Sequence, residues 1–146
     1  MIAHTIQLAL APVFMLVAIG NILNLLSSRL ARVVDRARHL QARHAGTEGH
    51  EHDMVVTEIR LVDRRIILVT RAIRLLVMAG IAIGTTVAAL FIEQLAGYPL
   101  AWVVSAFFLI AVTLLMWALS LFLLETQVAT AAIRIPRDYL EQEREL

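Results

Sequence analysis

Apolar residues run through this chain in three long uninterrupted stretches, about residues 6–26, 73–92 and 100–124, and charge returns between and after them. A helix needs roughly 20 residues to cross ~30 Å of hydrocarbon at ~1.5 Å per residue, so each stretch is read as a transmembrane helix. The predicted class is an all-α integral membrane protein with three transmembrane helices in one membrane domain, residues 1–146. Only Met1 to Thr5 precede the first stretch, with no basic segment before it and no small-x-small cleavage site after it, so a retained span is expected and not a signal peptide. Pro12 frees the carbonyl of Leu8, which predicts either a kink or a chain whose residues 1–10 lie along the interface.

In the segment about 27–72 the apolar residues fall into steps of three and four. Ile19, Leu23, Leu26, Leu30, Val33, Ala37 and Leu40 form one seam, and Val55, Ile59, Val62, Ile66, Val69, Ile73 and Leu76 form a second. Two such seams joined by the His-rich, glycine-containing break Ala45 to His52 predict an antiparallel coiled-coil hairpin continuous with spans one and two. Its second helix would run about 40 residues, ~60 Å. Between spans two and three, Gly97 and Pro99 predict a tight turn over Glu93 to Pro99, with Tyr98 and Trp102 at the depth of an aromatic belt. The third helix is expected to continue to Ile135, where Pro136 ends it. The tail 125–146 then closes in the acidic segment Arg137 to Leu146, a short helix or a frayed end.

Charge sets the expected orientation. The net charge of +1 hides ten arginines against six acids between Ser27 and Arg74, and three arginines against five acids from Glu125 onward. Positive segments stay on the cytoplasmic side, so the hairpin, Arg134 and Arg137 are expected inside and the N-terminus outside. Cysteine is absent, which removes disulfides, thiol nucleophiles and iron–sulfur ligation. No phosphate-binding glycine loop, catalytic serine–histidine–acid spacing or metal-binding helix pair is present, so neither an enzyme nor a cofactor is expected. The basic residues hug a membrane and carry no interleaved aromatics, which argues against nucleic acid as a partner.

The run PVFMLVAIGNILNLLSSRLARVVDRARHL, Pro12 to Leu40, with RRIILVTRAIRLL, Arg64 to Leu76, resembles a family of small bacterial three-span membrane proteins described as a domain of unknown function, DUF2721. The stretch SRLARVVDRAR, Ser28 to Arg38, is the most specific part of the likeness. The resemblance implies a bacterial inner-membrane protein with three spans, and supplies no catalytic or binding residues.

Candidate chemistry lies on the first helix. At ~100° per residue, Gln7, Phe14, Asn21, Leu25, Ser28, Arg32, Arg36, His39 and Arg43 fall along one side, roughly opposite the seam. Asn21 and Asn24, one turn apart, are expected well inside the first span, where an amide facing lipid is unfavourable; each is expected to meet water in a pore or a neighbouring helix. Gly80, Gly84 and Ala88 form a small-residue ridge suited to close helix packing, against a second subunit or against span three. The arginines admit three readings: topology signal, contact with anionic lipid headgroups, or a basic pore mouth. Pairs such as Arg32 with Asp35 and Arg60 with Asp63 are expected to blunt their field. His44, His50 and His52 lie near Glu48, Glu51 and Asp53 in a loop with no rigid framework, so an exposed loop and not a metal site is expected. Glu125 reads as a charge at the membrane boundary.

Two functions fit. One is a homo-oligomeric ion channel of unassigned selectivity, lined by Gln7, Phe14, Asn21 and Leu25, with Ser28, Arg32, Arg36 and Arg43 toward its cytoplasmic mouth. The other is a non-conducting scaffold or regulatory subunit whose hairpin binds a protein partner or anionic lipid. The layout is also similar to that of proton-driven motor subunits that assemble as pentamers, although no mid-membrane acid is present for proton coupling.

Overall fold

The structure, a computed structural model, describes residues 2–132. It consists of three helices in sequence order, α1 Ile2–His44, α2 Gly49–Ala96 and α3 Ala101–Ala132. All three are long and apolar enough to cross a bilayer, which makes the chain a multi-pass membrane protein. Helix α1 continues through Pro12, which is buried, without a break. The expected end of the third helix at Ile135 and the acidic tail beyond it lie outside the described residues.

The first turn is built from local backbone chemistry. Gly46 donates its N–H to the Arg43 carbonyl at 3.0 Å, and Gly49 takes φ 62°, a left-handed conformation that favours glycine. The chain reverses within residues 45–48, so α1 and α2 lie antiparallel. Their cross-helix ion pairs, Arg36 with Glu58 and Arg43 with Glu51, are symmetric about residue 47. At the far end Gly97 caps α2 at φ 71° and donates to the Glu93 carbonyl at 3.0 Å, and Pro99 follows before α3 starts.

Buried positions recur every seventh residue, the spacing that keeps one stripe facing a partner helix. On α1 they are Pro12, Ile19, Leu26, Val33 and Leu40, and on α2 Val55, Val62, Val69, Leu76 and Ile83. The alternate seam residues Leu23, Leu30, Ala37, Ile59, Ile66 and Ile73 are half-buried beside them. Helix α2 is central, packed on α1 and on α3. In its apolar half a second buried stripe, Ala72, Ala79 and Thr86, joins the first, and Ala82 and Ala89 add to it. Small side chains here let helices approach closely, with Ala111 and Ala118 of α3 in the same core.

Candidate functional site

The next buried position on α3 after Ala111 and Ala118, seven residues on, is Glu125, with none of its surface exposed. Its carboxylate receives Arg29 of α1 and Arg65 of α2. Arg29 Nη1 donates to Oε2 at 2.8 Å, while Arg65 donates to Oε1 from Nε at 3.0 Å and from Nη2 at 2.9 Å. The Arg29 guanidinium also lies 4.9 Å from the centre of the Phe122 ring and 3.4 Å from Thr126 Oγ1. Glu125, expected as a charge at the membrane boundary, is a fully enclosed anion that ties all three helices together. Two cations on one anion leave the cluster with an excess positive charge. Removing one member of such a buried set strands the others, a loss of about 3–5 kcal/mol.

The antiparallel register fixes depth along the bundle. The ion pairs match α1 and α2 positions symmetric about residue 47, and a Cβ added at Gly80 would meet Leu16 Cδ1 at 3.8 Å, which carries nearly the same register toward the other end. Asn21 thus falls level with Ile73 to Leu75, at the depth of Arg74 and within a turn of Arg71. The amides lie near the charged edge of the apolar layer, not well inside it.

Each α1 residue read as pore-lining is exposed on the single chain: Gln7, Phe14, Asn21, Leu25, Ser28, Arg32, Arg36 and Arg43. Phe14 is 69% and Leu25 46% exposed, so both apolar members of the stripe stand free of their own chain. Ser28 Oγ donates to the Asn24 carbonyl at 3.0 Å, a bond internal to the helix. Arg36 Nε and Arg43 Nη2 each reach a glutamate of α2 at 2.8 Å, which draws these two toward the helix pair. The ion pairs among the described residues all cross between helices; the expected pairs of Arg32 with Asp35 and Arg60 with Asp63 do not form.

The ridge residues divide. Gly80 is half-buried toward α1, whereas Gly84 and Ala88 are exposed with nothing within 4 Å of a Cβ built at Gly84. At the hairpin tip the rings of His44 and His52 approach to 4.5 Å, and Thr47 Oγ1 lies 3.3 Å from His52 Nδ1. Among the described residues no group of three potential ligands is placed to hold a metal ion. At the opposite end the helices part around a cavity of about 770 Å³, open to one side and lined by residues of all three, including His4, Pro12, Thr86, Glu93 and Phe108.

The chain belongs to the family described as "Protein of unknown function (DUF2721)", whose model matches residues 9–135. No curated protein and no solved structure matches it.

Proposed function

We propose that this DUF2721 member is a homo-oligomeric ion channel whose pore is lined by α1, with the helical hairpin as a cytoplasmic coiled coil and the N-terminus outside. One observation carries the reading. Gln7, Phe14, Asn21 and Ser28 repeat every seventh residue on the face of α1 opposite its buried stripe, and all four are exposed on the single chain. A stripe with that period is what a ring of parallel helices brings to one axis. The glutamate clamp supports it, because binding α1, α2 and α3 through one face leaves the other face of α1 free. Three helices are too few to enclose a water path in one chain, so the channel requires several copies, a pentamer being one arrangement. Anionic headgroups would meet the unpaired arginines at the cytoplasmic edge.

In such a ring Phe14 stands ~10 Å to the outer side of Asn21 and Leu25 ~6 Å to the inner side. Apolar rings at these levels close a narrow pore by dewetting, with the amide ring between them. Phe14→Ser or Leu25→Ser is expected to raise ion flux in reconstituted vesicles at least tenfold above wild type, and Asn21→Asp to shift selectivity toward cations. Flux that stays at the level of empty vesicles while the oligomer remains intact would overturn conduction. The hairpin's role as a scaffold for a partner protein would then be the better reading.

A further inference from the structure

Arg71 and Arg74 differ from the arginines that hold the bundle. Arg29, Arg36, Arg43 and Arg65 each have a carboxylate partner, whereas among the described residues Arg71 and Arg74 have none. Both are exposed, and three residues apart they share one face of α2. They form the rim of a groove of about 280 Å³ between α2 and α3, whose other walls are Leu75, Met78, Trp117 and Leu121. The groove therefore has two permanent cations at one end and an apolar wall along the rest.

Its depth identifies the occupant. From Leu75 to Ile92 α2 carries no charged residue, a run of eighteen residues. That run is ~27 Å long, close to the ~30 Å of a hydrocarbon core. Arg74 marks the end of that layer and Arg71 stands one turn further out, at the depth of lipid phosphates. Met78 and Trp117, 54% and 59% exposed, extend the groove from the arginines into the layer where acyl chains lie. Guanidinium groups bind phosphate through paired N–H donors, and a zwitterionic headgroup would bring its ammonium against two cations.

We infer that the α2–α3 groove is a binding site for one anionic phospholipid of the hairpin-side leaflet, its phosphate held by Arg71 and Arg74 and an acyl chain lying along Met78 and Trp117. Basic pockets between transmembrane helices are a recurrent form of headgroup recognition. The site does not involve α1, so it stands whether or not the protein conducts.

The test uses the full-length protein in mild detergent, titrated with phosphatidylglycerol or with phosphatidylcholine of the same chains. Tryptophan fluorescence and native mass spectrometry follow binding, and far-ultraviolet circular dichroism confirms helicity. Phosphatidylglycerol should be retained and phosphatidylcholine should not. At roughly one decade of affinity for every 1.4 kcal/mol and about 1 kcal/mol per arginine, the double variant Arg71→Gln/Arg74→Gln should bind about thirtyfold more weakly, and each single variant about fivefold. Arg60→Gln/Arg64→Gln removes the same charge farther from the groove and should change affinity less than twofold. Equal losses in the two double variants, equal retention of the two lipids, or glycerol phosphate binding as tightly as the lipid would each overturn the proposal.

Discussion

The two ends of the three-helix section are held by opposite means. At the hairpin side, α1, α2 and α3 converge on Glu125, and among the described residues no buried polar side-chain atom is left without a partner. At the α2–α3 turn the same helices diverge around the cavity bordered by His4, Thr86 and Glu93, and Thr86 spends its hydroxyl on the Ala82 carbonyl of its own helix. One end is fastened by a charge that has nowhere else to go. The other opens around a cavity of about 770 Å³ and has room to change shape. A bundle pinned at one end and open at the other concentrates any rearrangement at the open end, because disrupting the clamp exposes or strands buried charge.

The largest effect is expected at the clamp. Glu125→Gln keeps the shape but leaves Arg29 and Arg65 facing each other uncompensated. It should lower stability by about 3 kcal/mol, the low end of the range because both arginines keep some access to solvent. Thermal unfolding in detergent, followed by circular dichroism, measures it; an unchanged midpoint would remove the clamp from any account of the bundle. The second prediction pairs two identical changes. Ala118→Leu inserts bulk beside the clamp, where Ala118 is 1% exposed, and should cost about 1–3 kcal/mol by overpacking. Ala11→Leu adds the same atoms at the cavity and should stay within about 0.5 kcal/mol, since free volume takes them up. Equal costs in the same unfolding assay would mean that the two ends are equally tight. The remaining effect belongs to the open end's own turn: Gly97→Ala forces a side chain to φ 71° and should cost about 1 kcal/mol, again read from the melting midpoint.

The α1–α2 seam was fully legible in the sequence, because its heptad spacing stands out against charged neighbours. Every residue named in the two seams is buried or half-buried. The end of α2 was legible through the helix breakers Gly97 and Pro99, although the helix runs on through Ala96, past the expected start of the turn at Glu93. Glu125 was not. Its partners lie 60 and 96 residues away, and α3 is so uniformly apolar that no face of it can be picked out by contrast with polar residues. The signal that existed was the seven-residue step from Ala111 through Ala118 to Glu125, which puts the acid on the stripe of small residues. The ion pairs were assigned to neighbours on one helix because that spacing is visible in sequence. Symmetry about residue 47 would have assigned Arg36 to Glu58 and Arg43 to Glu51, since in a tight antiparallel pair the turn alone sets the register. The α1 stripe was legible as a pattern, and its residues are exposed on the single chain.

The mirror symmetry of the first two helices also sets an order of assembly. The pair from Arg43 to Glu51 closes a separation of 8 residues and the pair from Arg36 to Glu58 one of 22, so each contact shortens the loop left to close for the next. The first two helices can zip from the turn toward the membrane without a distant search, as low-contact-order helical pairs do. Glu125 is made last and must find Arg29 across 96 residues, but by then both arginines are already side by side. Synthesis therefore leaves a preformed cationic cleft waiting for a single carboxylate, and the docking of α3 becomes the step that completes the membrane fold.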